Sequence, residues 1–355
     1  MVGIDDCRVA VIYVDGVRPR NMDRRELGDT GRAVTEIGLG TWTMGGSWGD
    51  VDREDCENAI RAALDSGTNF IDTADVYGGG RAEEIVADVL AEEDPDEEIH
   101  VATKAGRGLS PHEADQYTHE NLEAAVDESR ERLGVESLDL LQLHCPPTET
   151  YYQPETFEAL AALEGAGKID SYGVSVEKCE EALKAIEYPG VETVQLIFNA
   201  FRQRPAELFF EEAKRRDVGV IVRVPLASGL LADAFDADTE IAEGDHRKAA
   251  AEGGVADGVG GKGGETFAGV PFEEGLRAVE ELRPLVPEDA TMAQYALRWL
   301  LDFDAVTTVI PGSTSPEHVR DNAAAADLDP LSHREHGAVR DIYEEYVAEH
   351  VHHRW

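Results

Sequence analysis

Eight short apolar segments recur along the chain, mostly roughly 20–40 residues apart, and the stretches between them place apolar residues at helical spacing. Strands are predicted over 36–39, 69–71, 99–104, 138–144, 172–176, 193–198, 218–224 and 305–310. Several end on residues that stop a strand: Gly40 after the first, Cys145-Pro146-Pro147 after the fourth, Pro225 after the seventh, Pro311-Gly312 after the eighth. Helices are predicted over 53–66, 81–90, 118–133, 156–165, 178–186, 206–216, 272–282, 291–301, 316–321 and 338–350. Such alternation implies a parallel sheet, because parallel neighbours need a long crossover between them. Eight units of this kind fit a closed (β/α)8 barrel of the TIM type. An open doubly wound sheet is the runner-up, and it would place a glycine-rich dinucleotide turn after its first strand. Here Gly38-Leu39-Gly40-Thr41-Trp42 lacks the third glycine, and Gly261-Lys262 is followed by Gly263 where a phosphate loop needs Ser or Thr.

The reading gives one barrel domain over 22–355, interrupted by an acidic, glycine-rich stretch at about 231–270. Residues 1–21 read as an appended extension with a short strand at 7–14, or as sequence upstream of a true start at Met22. Forty-two per cent apolar residues fill a sizeable core, so the formal net charge of −41 reads as an acidic shell rather than as disorder. Such a surface repels phosphates, which excludes nucleic acid and anionic membranes as partners. Only 7 of the 32 basic residues are Lys. The balance fits a salt-rich cytoplasm, where the screening length falls to about 3 Å at 1 M. No apolar run approaches the length of a membrane span. Cys7, Cys56, Cys145 and Cys179 are far apart and lack the spacing of a disulfide frame or zinc site.

Strand carboxyl ends are where a barrel gathers its chemistry. Polar residues at those ends are Asp72, with Tyr77 five residues on, then Lys104, His144, Ser175, Gln195 and the turn Pro311-Gly312-Ser313. Singly, each has an ordinary structural reading: a capping carboxylate, a surface phenol, a salt-bridged lysine, a satisfied core histidine. Together they have a chemical logic. A free phenol ionises near pH 10. An ammonium about 4 Å away at an effective dielectric of about 20 favours the phenolate by roughly 4 kcal/mol. Asp72 would hold Lys104 and moderate that pull, leaving a smaller net lowering. His144 would orient an incoming carbonyl, and Tyr77 would protonate it. A carbonyl protonated in this way needs a hydride that no side chain supplies, so a nicotinamide cofactor is implied. Cys145 reads as an inert thiol rather than a nucleophile. His350, His352 and His353 read as a solvated tail end rather than a metal site, and Asp245-His246-Arg247 as either a clasp or part of a disordered loop.

The strings Ile37-Gly38-Leu39-Gly40-Thr41-Trp42, Phe70-Ile71-Asp72-Thr73-Ala74-Asp75-Val76-Tyr77-Gly78, Ala102-Thr103-Lys104-Ala105-Gly106, Leu141-Gln142-Leu143-His144 and Val309-Ile310-Pro311-Gly312-Ser313 resemble, in order, those of the aldo-keto reductase family. The resemblance covers about residues 22–325. It implies a (β/α)8 barrel with an N-terminal β-hairpin at the barrel bottom, over 24–36. It also implies NADPH, or NADH, bound across the mouth without a dinucleotide fold. Tyr77 is then the general acid, Lys104 its modulator, Asp72 the partner of Lys104, and His144 the carbonyl orienter. Implied cofactor contacts are Gly40, Thr41, Trp42, Asp72, Ser175, Gln195, Arg223, Pro225, Leu226, Ser228, Ile310, Gly312, Ser313, His318 and Asn322.

The chain departs from the family pattern in three respects. Val176 stands where an Asn often follows the carboxamide serine, and Arg223 where a Tyr commonly stacks on nicotinamide. Gly312 and Thr314 stand where a Lys or Arg often reads the 2′-phosphate, with His318 and Arg320 as substitutes. The implied function is NAD(P)H-dependent reduction of an aldehyde or ketone. A nicotinamide-binding regulatory subunit resembling a channel beta subunit is the alternative, since the same four groups would serve both. Loops near Trp42, Trp48, Pro146-Pro147, 231–270 and beyond Asn322 would form an aromatic-lined substrate pocket.

Overall fold

The computed structural model describes residues 22–46, 51–236, 238–242, 245–252 and 265–354. The expected extension over 1–21, Trp48 and the centre of the 231–270 stretch lie outside the described residues.

The chain opens on an antiparallel hairpin, β1 (Arg24–Glu26) and β2 (Ala33–Thr35), in the register Arg24↔Thr35, Arg25↔Val34 and Glu26↔Ala33. Eight strands follow in parallel: β3 (Leu39–Gly40), β4 (Phe70–Asp72), β5 (His100–Ala105), β6 (Leu140–His144), β7 (Tyr172–Ser175), β8 (Val191–Ile197), β9 (Gly219–Arg223) and β10 (Val306–Val309). Each neighbours the next in sequence. Parallel bridges Ile37↔Val309 and Gly40↔Gly312 join the last strand to the first, so the predicted (β/α)8 barrel closes. Glycine is required at that seam. A Cβ on Gly40 would stand 2.8 Å from the Ile310 carbonyl oxygen, and one on Gly312 would stand 3.0 Å from that of Gly40.

Alternation along the strands fills the barrel in two layers. Phe70, Ala102, Leu140 and Ile221 form the lower one, with Leu27 and Val34 of the hairpin packed against them. Two residues further along three of these strands stand Asp72, Lys104 and Gln142, all buried and polar. The hairpin thus plugs the base, as the resemblance implied. Arg25 fastens it there by donating to the carbonyls of Leu301, Phe303 and Val306 and pairing with Glu36 at 3.0 Å.

The outer helices are α1 (Arg53–Asp65), α2 (Arg81–Glu93), α3 (His119–Leu133), α4 (Pro154–Gly165), α5 (Cys179–Ala185), α6 (Arg204–Leu208), α7 (Phe210–Arg215), α8 (Arg247–Ala251), α9 (Phe272–Leu282), α10 (Met292–Leu301), α11 (Pro316–Ala323), α12 (His333–Ile342) and α13 (Ala348–Val351). Helix α3 shows why the pattern was readable. Thr118 caps its start by accepting from the Asn121 amide, Leu122 and Val126 share its buried face, and Gly134 ends it at φ 70°.

Two helices differ from expectation. The predicted 206–216 helix breaks into two at Phe209, whose φ of −108° departs from helical geometry, with Phe209 and Phe210 both buried. The last helix starts five residues before its predicted position 338, at a capping box formed by Ser332 and Glu335. A π turn at Tyr343–Val347 then shifts the helical phase, and Tyr343, Val347 and Val351 all face inward.

Candidate active site

At the barrel mouth β4 ends in Asp72, and the chain turns outward through Tyr77 toward Gly78-Gly79-Gly80, all three at positive φ. Lys104 of β5 is fully buried. Its Nζ lies 2.5 Å from Asp72 Oδ1, 2.7 Å from the Thr73 carbonyl oxygen and 3.3 Å from the Tyr77 hydroxyl. His144, at the end of β6, stands edge-on to Tyr77, with ring centroids 5.8 Å apart at 86°. Its Nδ1 is buried and has no hydrogen-bond partner among the described residues. The four groups singled out in the sequence therefore meet in one place.

Ser175 and Gln195 adjoin them. Ser175 Oγ lies 3.3 Å from Gln195 Oε1, and Gln195 Nε2 donates to Asp72 Oδ2 at 2.7 Å. Gln142 joins the same cluster, donating to Asp72 Oδ2 at 3.1 Å. Gln142 lies within Leu141-Gln142-Leu143-His144, a motif whose implied roles do not include it. The signal available was a polar residue two before His144, on the inward side of a strand.

The electrostatics correct one expectation. Burial pushes the Tyr77 phenol above its ordinary value of 10.0, and Asp72 adds to that, so the pull of Lys104 does not prevail. Burial disfavours the Lys104 charge, yet Asp72 and Tyr77 more than offset it and the ammonium is held above its usual value. Burial first, then the charges of Lys104, Arg107 and Arg223, drive His144 well below 6.5. The site thus presents a protonated phenol, a charged lysine and a neutral imidazole.

The implied cofactor contacts lie along the same rim. Gly40 and Thr41 close the β3 exit, where the Thr41 amide and hydroxyl both donate to the Asp72 carbonyl oxygen. Trp42 packs on His246 with ring centroids 5.2 Å apart. Arg247 donates onward to the Ser228 carbonyl oxygen. Arg223 ends β9, and its guanidinium is held by Glu265 at 2.5 and 2.9 Å and by the Val176 carbonyl oxygen at 3.0 Å. Burial opposes ionisation of Glu265, but Arg223 outweighs it and holds the carboxyl at about 2. Ser228, in the turn after Pro225 and Leu226, accepts from the Phe267 amide at 3.2 Å. Segment 265–269 thereby engages both Arg223 and Ser228.

At the β10 exit Ile310 is buried, Gly312 is exposed and Ser313 Oγ accepts from the Ser315 amide. On α11 Asn322 is buried and His318 exposed. The Cys145 thiol is buried and pushed above its ordinary value by that burial, which disfavours the thiolate. His350 and His352 do not converge: His352 Nδ1 lies 2.9 Å from the Tyr343 hydroxyl, and His350 lies beside Glu349.

The profile of the aldo/keto reductase family matches residues 36–344. Aldo-keto reductase YhdN of Bacillus subtilis (strain 168) is 30% identical over 301 residues, spanning 83% of this chain and 86% of its own. The NADH-specific methylglyoxal reductase of Escherichia coli (strain K12) is 29% identical over 348 residues, spanning 91% and 99%. The solved glycerol dehydrogenase AKR11B4 from Gluconobacter oxydans superposes with a TM-score of 0.73 at 29% identity, over 94% of this chain and 97% of that one. With that match covering all eight barrel strands and the mouth cluster they carry, this chain belongs to the aldo/keto reductase family.

Proposed function

We propose that this chain is an NAD(P)H-dependent carbonyl reductase in which Tyr77 is the general acid. The observation that carries the reading is the chain of contacts from Tyr77 through Lys104 to Asp72, at 3.3 and 2.5 Å. A bound nicotinamide dinucleotide supplies the hydride. The residues present suit such a group. Ser175 and Gln195 offer a hydroxyl and an amide beside the acid, and Gly40 and Gly312 keep backbone free of side chains at the seam. Ser228 and Ser313 stand at the next two strand exits, with Asn322 and His318 beyond them, and Arg223 offers a planar face once Glu265 releases it.

His144, neutral and with Nδ1 unpartnered, orients the carbonyl oxygen by a hydrogen bond. Tyr77 passes its proton to that oxygen as negative charge develops there. Lys104 stabilises the phenolate left behind, and Asp72 keeps Lys104 charged and aimed. Burial keeps the phenol protonated until the reaction demands its proton. Run backwards, the same groups oxidise an alcohol.

The rim around His144 is polar. Arg107 lies 3.9 Å from Glu177, Arg223 pairs with Glu265, and His112 meets the Tyr117 hydroxyl at 2.9 Å. Small oxygen-rich carbonyls suit that rim. They also accord with the names of the methylglyoxal and glycerol enzymes. The chain functions as one barrel domain in the cytoplasm. A turnover screen with small aldehydes and both NADPH and NADH, at high potassium chloride, tests the reading. Steady cofactor oxidation supports it; tight cofactor binding without turnover supports the regulatory-subunit alternative instead.

A further inference from the structure

Gln142 is fully buried, and no step above uses it. Its Nε2 donates to Asp72 Oδ2 at 3.1 Å, and its Oε1 accepts from Gln195 Nε2 at 3.1 Å. Gln195 Nε2 also donates to Asp72 Oδ2 at 2.7 Å, while Ser175 Oγ reaches Gln195 Oε1 at 3.3 Å. A carboxamide nitrogen carries two hydrogens. Both of those on Gln195 are therefore placed, one on Asp72 and one on Gln142. That arrangement sets which way the Gln195 amide points. Turned over, Gln195 would set its oxygen against two acceptors, Asp72 Oδ2 and Gln142 Oε1. Held as it is, it turns the oxygen toward Ser175 and the mouth.

We propose that Gln142 is a positioning residue for the reduction. It braces Gln195 and Asp72 so that one unbroken hydrogen-bond chain runs from Ser175 through Gln195, Asp72 and Lys104 to Tyr77. The inference rests on the reductase reading for the roles of the two ends. The chain joins the point where the cofactor amide would be held to the acid that gives up its proton. The brace works through Asp72. Its Oδ2 takes two amide donors, so Oδ1 is left to Lys104. With one donor gone, the Asp72 charge is less offset and draws Lys104 harder, and Lys104 does less for Tyr77. Tyr77 then ionises at higher pH and is a weaker acid.

Two variants of the full chain test this. Gln142→Met keeps the length and removes both polar contacts. Gln142→Glu keeps an acceptor for Gln195 but sets a second carboxylate against Asp72 until it is protonated. For Gln142→Met we expect kcat to fall at least about tenfold. Substrate KM and cofactor affinity, read by titration, should stay within about threefold of the parent, as uniform binding is untouched. The basic limb of the pH profile should move upward by about half a unit or more. Gln142→Glu should be slower still near neutrality and recover as pH falls, because the protonated carboxyl regains a donor for Asp72.

A readout independent of turnover is hydrogen exchange of the Gln195 side-chain amide in glutamine-labelled protein, assigned with Gln195→Met. In Gln142→Met that amide should exchange much faster than in the parent. Parent-like kcat and pH profile in either folded variant would overturn the proposal, as would unchanged Gln195 exchange in Gln142→Met. If Gln142→Met does not fold, Gln142→Glu decides. If the parent itself turns over no carbonyl, the reductase reading fails separately, and the exchange arm still decides whether Gln142 braces Gln195.

Discussion

Asp75 sits two residues before the proposed acid, and its Oδ1 is buried with no hydrogen-bond partner among the described residues. Burial, then the nearby charge of Glu83, pushes its carboxyl up to about 7. A carboxyl whose folded value lies above its unfolded value of 3.8 contributes stability that is fully present below that value and is lost as pH rises through about 7. We therefore expect Asp75→Asn to raise the melting temperature at pH 8 and to leave it nearly unchanged at pH 4, as thermal melts at the two values would show. Asp72, Lys104 and His144 were legible because they stand at the carboxyl ends of apolar runs, and Tyr77 because it follows on the loop that leaves the first of them. Gln142 was only half legible: a polar residue two before His144 marks an inward position, but which groups it meets depends on the neighbouring strands. The direction of the Tyr77 shift is hidden from sequence for a related reason. The charge of Lys104 can be read from sequence, whereas the burial that outweighs it depends on what the other strands pack around the phenol.

The hairpin is the element that the period of the chain did not announce; only the resemblance placed it. Its hold on the barrel depends heavily on Arg25, whose guanidinium satisfies the carbonyls of Leu301, Phe303 and Val306 and pairs with the buried Glu36. Arg25→Ala leaves these acceptors and one carboxylate without their donor. We expect a loss of about 2–4 kcal/mol, measured by denaturant unfolding. Cofactor affinity should change little, since the damage is at the far end of the barrel from the mouth. Among the helices, α3 was legible from its cap and periodicity. The break between α6 and α7 was not, because two adjacent buried aromatics satisfy a helical window as well as one does. The early start of α12 was signalled by Ser332 and Glu335, three residues apart, and by the capping-box logic that spacing carries.

Over the whole molecule, a formal net charge of −41 makes the folded state repel itself at low ionic strength. Many of the basic residues that remain are engaged locally. Arg61 pairs with Glu92 and Glu93, Lys168 with Glu123 and Asp127, and Arg340 with Glu207 and Glu344. Such exposed pairs contribute little individually, about 0–1 kcal/mol. Unpaired acid therefore dominates the long-range field, and added salt should stabilise by screening it. We expect the melting temperature to climb as potassium chloride is raised from millimolar toward molar, the reverse of what surface ion pairs alone would give. The barrel was legible at this scale because eight repeats of one period leave few alternatives. The identity of the substrate was not, because the rim comes from loops whose packing the period does not set. The central claim is that Tyr77, held by Lys104 and Asp72, delivers the proton in a hydride reduction. Its most direct test pairs cofactor titration with steady-state aldehyde reduction in the parent and in Tyr77→Phe. We expect the variant to bind NADPH within about threefold of the parent and to lose at least about a hundredfold in kcat. Parent-like turnover by Tyr77→Phe would contradict the account.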